Sequence, residues 1–326
     1  MSRPLIAFLW PEADFRATGL DVPDGFDIRF ARGTVRAEAE AASRGADFLV
    51  AGAGFTAVDR ALLDLAPGAR LVQLTGAGTD NVDHGECARR AIPVCNVPGL
   101  NAPSVAQLVV QLALRCRRPL PLLTRGGAEE WNEARARHAA SGHELAGRVG
   151  VVGYGNIGRA VAALFSGLGL EVVRAARAGQ DDAAVPALPL DELLAGADIV
   201  AVCLPARADT RGLIDAGRIA RMKRGAVLIH VGRGGVVDDG AVAAALAEGR
   251  LAGAGFDVFE TEPLAPDHPF LALPEAARAR LVLTPHIGGQ TLESKARNFA
   301  VALDNVARVA RGEAPRFRVP PPAGEP

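Results

Sequence analysis

Val149-Gly150-Val151-Val152 is a short apolar run that breaks into Gly153-Tyr154-Gly155-Asn156-Ile157-Gly158, and the chain then continues as Arg159-Ala160-Val161-Ala162-Ala163-Leu164-Phe165. The order predicts a strand, a tight glycine turn and a helix. In such a unit the first glycine permits the turn and the second lets a pyrophosphate approach the backbone. The third lets helix and strand pack closely. Amides at the helix start, with the positive end of the helix dipole, then face the phosphates. Glycine-rich turns also end ordinary strands. Here apolar β-formers precede the turn and a helical segment follows it, which favours a dinucleotide site over a purely structural turn.

The rest of the chain repeats the alternation of strand and helix. Leu5-Ile6-Ala7-Phe8-Leu9, Phe26 to Phe30, Phe48 to Ala51, Leu71 to Leu74 and Ile92 to Asn96 read as strands, with helical segments at Arg36 to Arg44, Val58 to Leu65 and His84 to Arg90. After Val97-Pro98-Gly99, Ser104 to Arg117 reads as an apolar helix expected to join two domains. Gly126 to Gly147 reads as polar and irregular, anchored by Trp131. Beyond the glycine turn, strands are expected at Glu171 to Ala175, Ile199 to Leu204, Ala226 to Val231, Ala254 to Val258 and Leu281 to Thr284, with helices at Leu190 to Leu194 and Asp239 to Glu248. The apolar positions of Thr291 to Arg311 describe a closing helix that returns to the first domain. The tail from Pro320 to Pro326 has the composition of a disordered end.

This pattern predicts an α/β protein of two doubly wound parallel-sheet domains. The expected division is 1–98 with 290–326 as a discontinuous first domain, and 99–289 as the dinucleotide-binding domain. A length of 326 residues suits two such units. A net charge of −1 gives no electrostatic case for nucleic acid or an anionic membrane. No apolar run approaches the ~18 residues of a membrane span, and no signal-peptide pattern precedes the first strand, so a soluble cytoplasmic protein is expected. Cys87, Cys95, Cys116 and Cys203 form no CxxC pair and join no histidine cluster, so neither a metal site nor a disulfide framework is expected.

Ligands of open α/β sheets sit beyond the carboxyl ends of the strands. Arg233, Glu262 and His286 each fall just past such an end. Taken singly, each also suits a bland role, as a solvated turn charge, a loop acid before Pro263 or a polar strand terminator. Together they make a chemical set. A guanidinium holds a carboxylate through two bonds, an imidazole titrates near neutrality, and a carboxylate beside it keeps it protonated and oriented.

At these residues the chain resembles the D-isomer-specific 2-hydroxyacid dehydrogenases, along nearly its whole length. The stretches that carry the resemblance are Gly76-Ala77-Gly78-Thr79-Asp80-Asn81-Val82-Asp83, Asn96-Val97-Pro98-Gly99, Val152 to Gly158 and Cys203-Leu204-Pro205. They continue with Gly232-Arg233-Gly234-Gly235-Val236-Val237-Asp238, Asp257-Val258-Phe259-Glu260-Thr261-Glu262-Pro263 and Thr284-Pro285-His286-Ile287-Gly288-Gly289. The resemblance implies a flavodoxin-like substrate domain and a Rossmann domain, closing over a cleft to exclude water. It implies that Arg233 binds a 2-oxo acid, that His286 exchanges the proton of its carbonyl oxygen, and that Glu262 pairs with His286. Ala77 and Gly78 would offer backbone amides to the substrate carboxylate. Gly153, Tyr154, Gly155, Asn156, Ile157, Gly158, Leu204, Pro205 and Asp257 would line the cofactor. A homodimer is implied as well, with 119–147 near its contact.

Two departures refine this. NAD enzymes place an Asp or Glu about 20 residues after the glycine turn, on the ribose 2′-hydroxyl. Here the strand runs out into Ala175-Ala176-Arg177-Ala178, and Glu171 sits at its other end. With no carboxylate to repel a 2′-phosphate, and with Arg177 and Arg174 to pair with it, NADP(H) is expected over NAD(H). The loop Ala51 to Thr56 lacks the basic residues with which phosphoglycerate dehydrogenases meet a phosphate, so a small non-phosphorylated acid such as glyoxylate or hydroxypyruvate is expected; Phe55 would suit either its pocket wall or the core. Gln107 stands where the family usually has Glu, and no chemistry is assigned to it. Alternatives are a dinucleotide-sensing binding protein like the family's corepressors, or phosphite or formate oxidation on the same fold.

Overall fold

The computed structural model describes residues 3–52, 54, 56–120, 123–177 and 184–320. Phe55, Ala178 and the tail from 321 onward, each given an expectation above, lie outside them. The chain forms two compact units, 1–101 with 289–326 and 102–288.

The first unit begins with β1 (Leu5–Leu9), α1 (Glu12–Ala17), β2 (Asp27–Phe30), α2 (Arg36–Ser43), β3 (Phe48–Ala51), α3 (Arg60–Asp64), β4 (Leu71–Leu74), α4 (His84–Arg89) and β5 (Val94–Cys95). Its described strands pair in parallel in the order β2-β1-β3-β4-β5, the flavodoxin-like order. The alternation of β1 sets the two faces. Ala7 and Leu9 pack with Ala39, Leu62 and Leu63 from α2 and α3, while Ile6, Phe8 and Trp10 point the other way.

The second unit runs through α5 (Ala102–Arg117), α6 (Gly127–Ser141), β6 (Arg148–Val152), α7 (Asn156–Gly167), β7 (Glu171–Ala175), β8 (Ala187–Leu188), α8 (Leu190–Gly196) and β9 (Ile199–Val202). It continues with α9 (Ala216–Arg221), β10 (Val227–His230), α10 (Asp239–Ala247), β11 (Gly253–Phe256), a short 3-10 turn, α11 (Glu275–Arg278) and β12 (Leu281–Leu283). Its strands are parallel in the order β12-β11-β10-β9-β6-β7-β8, with the topological switch between β6 and β9. Two apolar layers cover the sheet. Val149, Val151, Val227 and Ile229 pack with α5 and α7, whereas Val200, Val202, Leu228 and Phe256 pack with α8, α9 and α10.

The closing helix α12 (Leu292–Ala310) belongs to the first unit and lays Phe299, Ala302, Leu303 and Val306 on the Ile6–Phe8–Trp10 face. Phe299 stands edge-on to Phe8 at 5.0 Å and to Trp10 at 5.4 Å. Both parallel sheets are as expected, with the two-residue β8 added at one edge of the second. α5, expected to join the two domains, is a member of the second unit, within the span 99–289 given to that domain, and packs on α7, β10 and β11. One segment differs. Residues 127–141, expected to be irregular, form α6, and Trp131 is 52% exposed instead of anchoring the segment. Glu130 does the anchoring. Its carboxylate accepts the backbone amides of Thr124, Arg125 and Gly126.

Candidate functional site

Because every strand of the second sheet is parallel, the turns after β6, β9, β10, β11 and β12 leave from one edge. The glycine turn lies at the switch point. Gly153 has φ +100°, a conformation that side chains resist, and a Cβ on Gly158 would sit 2.0 Å from the Gly153 carbonyl oxygen. Gly155 precedes α7, and among the described residues no atom beyond its own chain neighbours lies within 4 Å of where its Cβ would be. A tight turn, a close helix–strand contact and an open approach to the amides of α7 fit a dinucleotide pyrophosphate. Cys203 N donates to Val152 O across the switch at 2.8 Å, which sets Leu204 and Pro205 beside the turn. Thr210 Oγ1 donates to Pro205 O at 2.6 Å and steadies that loop.

Among the described residues at the end of β7, Ala175, Ala176 and Arg177, there is no carboxylate. Glu171 is at the opposite edge, ion-paired with Arg148 at 2.9 Å. Arg177 is exposed just past the strand. Arg174, expected next to it at the cofactor, is 3% exposed. Its Nε donates to Val185 O at 3.2 Å and its guanidinium lies 5.3 Å from the Tyr154 ring centre. Arg159 faces the same ring at 4.8 Å. Tyr154, buried between two guanidiniums, thus braces the turn by cation–π contact.

Arg233, Glu262 and His286 leave from the same edge. His286 Nδ1 is 2.7 Å from Glu262 Oε2, and Glu262 Oε1 accepts the Phe259 amide at 3.0 Å. Burial alone would raise the Glu262 carboxyl. The hydrogen bonds from His286 and Phe259, with the charges of His286 and Arg233, bring it below the usual carboxylate range. Arg233 is partly buried and its Nη1 donates to Gly232 O at 3.0 Å. The structure therefore groups all three expected residues in one unit.

His286 is held in the left-handed region, φ +53°, by Asp257. That carboxylate, 2% exposed, accepts Thr284 Oγ1 at 2.6 Å, Ile287 N at 2.9 Å and Gly288 N at 2.8 Å. Asp257 was expected at the cofactor; the bonds it makes here brace the His286 loop. Thr284 was not singled out in the sequence, although its place before Pro285 and His286 was a usable signal.

In the first unit, Ala77 and Gly78 follow β4. Asn96 Nδ2 donates to Ala77 O at 2.8 Å and Val97 N to Gly76 O at 2.9 Å. A trans peptide points its N–H away from its C=O. With both carbonyls held by 96–97, the amides of Ala77 and Gly78 face the other side together, an anion-binding arrangement. The loop's base is tied by Trp10 Nε1, which donates to Thr75 Oγ1 at 3.0 Å.

Among the described residues no group of three or more His, Cys, Asp or Glu could hold a metal ion, and no helix is long and apolar enough to cross a membrane. Burial pushes the thiols up, to about 11 for Cys87 and Cys95 and about 12 for Cys116 and Cys203. That leaves them protonated and unreactive at neutral pH.

Comparison with known proteins identifies the family. Residues 110–288, more than half of the chain, match the D-isomer specific 2-hydroxyacid dehydrogenase, NAD binding domain family. The chain is 36% identical over 301 residues to D-3-phosphoglycerate dehydrogenase of Mycobacterium tuberculosis, covering 89% of this chain but only 54% of that protein. It is 36% identical over 274 residues to glyoxylate/hydroxypyruvate reductase B of Salmonella newport, covering 82% of each. A solved structure of an NADPH-dependent glyoxylate/hydroxypyruvate reductase from Sinorhizobium meliloti, in complex with NADP and malonate, is 27% identical with a TM-score of 0.76, covering 98% of this chain and 97% of that one. The chain belongs to the D-isomer-specific 2-hydroxyacid dehydrogenase family.

Proposed function

We propose that the protein is an NADPH-dependent reductase of a small, non-phosphorylated 2-oxo acid, of the glyoxylate or hydroxypyruvate kind, giving the D-2-hydroxy acid. The observation that carries this reading is the 2.7 Å contact of His286 with Glu262, close enough to Arg233 for its charge to act on the same carboxylate. The glycine turn, Leu204 and Pro205 would hold the dinucleotide, which when bound supplies a hydride to the carbonyl carbon. Arg233 binds the acid's carboxylate and polarises its carbonyl. His286, oriented at Nδ1 by Glu262, gives its Nε2 proton to the carbonyl oxygen and takes it back in the reverse direction.

Two observations support the finer choices. Ala176 stands where a ribose-binding acid would otherwise be, with exposed Arg177 beside it, which favours a 2′-phosphate and so NADP(H) over NAD(H). The β3 loop, residues 51–56, carries no cation to meet a phosphorylated substrate, although several relatives are named phosphoglycerate dehydrogenases. The deciding experiment measures kcat/KM for glyoxylate, hydroxypyruvate and 3-phosphohydroxypyruvate with NADPH and with NADH, with Arg233→Ala and His286→Ala as controls. Preference for the phosphorylated acid or for NADH overturns the corresponding choice. Dinucleotide binding without turnover of any 2-oxo acid favours a binding protein instead. The protein is further read as a homodimer, and exposed Leu120, Leu123 and Trp131 within 119–147 support a contact there; sedimentation of the protein and of Trp131→Glu tests it.

A further inference from the structure

We propose that His230 is a positioning residue for Arg233, its ring N–H holding the Arg233 carbonyl and so fixing where the guanidinium is presented. The inference rests on the reading of Arg233 as the group that binds the substrate carboxylate.

His230 ends β10 on the face that holds Leu228, in register with Val202 of β9 and Phe256 of β11. It is 1% exposed, and its ring stands edge-on to Phe256 at 5.5 Å. The neighbours are apolar, so a leucine or phenylalanine would fill the space. A buried polar ring is tolerated only if hydrogen-bonded. The two ring nitrogens face two carbonyl oxygens, Nε2 at 2.9 Å from Arg233 O and Nδ1 at 3.4 Å from Val202 O. Burial pulls the imidazole down to about 4, so near neutral pH it has one N–H to donate. The shorter contact assigns that proton to Nε2.

The bond closes a loop over Val231 and Gly232, directly beneath Arg233. The residues on either side of Arg233 are pinned as well. A Cβ on Gly232 would lie 2.2 Å from Leu204 O, and one on Gly234 would lie 2.0 Å from the Phe259 carbonyl. The Arg233 peptide is thereby held between the turns after β9 and β11, and His230 sets the carbonyl between those two contacts. Phe259 is also the residue whose amide binds Glu262, so the Arg233 and Glu262 loops share one support. Bidentate recognition tolerates little displacement, since an error of about 1 Å can cost on the order of 100-fold. His230 itself is sealed from solvent and acts through Arg233 only.

The test compares His230→Phe, which keeps the ring and removes the donor, with His230→Gln, which keeps a donor. The readouts are KM for the 2-oxo acid, kcat, dinucleotide Kd and amide hydrogen exchange of residues 231–236. H230F is expected to raise KM for the acid about tenfold, the worth of one hydrogen bond, to leave dinucleotide Kd within about twofold, and to speed exchange at 231–236. H230Q is expected to recover most of both effects. An unchanged KM and exchange in H230F, an equal weakening of acid and dinucleotide, or a Gln variant no better than Phe overturns the proposal. If H230F does not fold, His230→Met takes its place as the donorless variant. If the native protein reduces no 2-oxo acid, the reading of Arg233 fails. The exchange comparison then still decides the positioning: acceleration in H230F reversed in H230Q upholds it, and equal exchange overturns it.

Discussion

Glu262 uses both of its oxygens: Oε2 lies 2.7 Å from His286 Nδ1 and Oε1 accepts the Phe259 amide at 3.0 Å. The carboxylate is therefore fixed to the β11 turn by its own backbone before it orients the imidazole. Asp257 does the same for the other partner, gathering Thr284, Ile287 and Gly288 so that His286 is held at φ +53°. Two acids from one turn thus set the place and direction of one base.

Replacing Glu262 by Gln keeps the shape and removes the charge. kcat is expected to fall by about 100-fold or more, within the range of general acid–base catalysis, with KM for the acid changed far less. The pH dependence has a definite sign. The folded-state pKa of Glu262 is lowered, so the pair's contribution to stability is present above the unfolded value of about 4.3 and is lost as pH falls through the folded one. The difference in urea midpoint between wild type and E262Q should therefore shrink as pH falls below about 5. A difference that grows in acid would contradict this account.

Cofactor choice rests on one strand end. Ala176→Asp places a carboxylate where NAD enzymes carry one, beside exposed Arg177. NADPH efficiency is expected to fall at least about tenfold and NADH efficiency to rise, the loss being that of a charge-assisted bond turned to repulsion. Steady-state kinetics with both dinucleotides measures it. An unaltered ratio would place the 2′ group elsewhere.

Much of this was legible in the sequence because buried parallel strands are apolar runs, and because the glycine turn, Arg233, Glu262 and His286 stand at strand ends. α6 was not legible. Its sequence is polar on every side, with Glu130 and Ala134 as its buried residues, so it carries no apolar period, and Trp131 suggested an anchor that the fold leaves in solvent. α1 is six residues long and gave too short a signal. Arg174 was read by charge alone, whereas a strand residue next to Tyr154 can bury a guanidinium against an aromatic face. The carboxylate of Asp257 makes its bonds with the Thr284 hydroxyl and with backbone amides 30 and 31 residues away, which no local pattern shows.

The closing helix stakes much of the first unit's stability on one ring. Phe299 is fully buried and meets Phe8, Trp10 and Phe15. Phe299→Ala removes those contacts and opens a cavity in a core that cannot fully collapse, at an expected cost of about 3–5 kcal/mol. The loss should appear in denaturant unfolding followed by Trp10 fluorescence in a Trp131→Phe background. A cost below about 1 kcal/mol would mean that α12 adds little to the first unit.

His230 makes the last prediction one of acid stability. Its folded-state value, about 4, is depressed by burial below the unfolded value of about 6.5. Between these two the unfolded chain binds a proton that the folded chain refuses, so stability rises with pH there and is lost as pH falls from about 6.5 towards about 4. At its full extent the effect is on the order of 3 kcal/mol, and above about pH 7 it is absent, since both states are then neutral. H230F has no proton to bind and should lose this slope while keeping the acid dependence due to Glu262. Unfolding midpoints of the two proteins at several pH values between about 4 and 8 separate the contributions. Parallel curves for wild type and H230F would show that the folded imidazole takes up its proton as readily as the unfolded chain does, and would contradict this account.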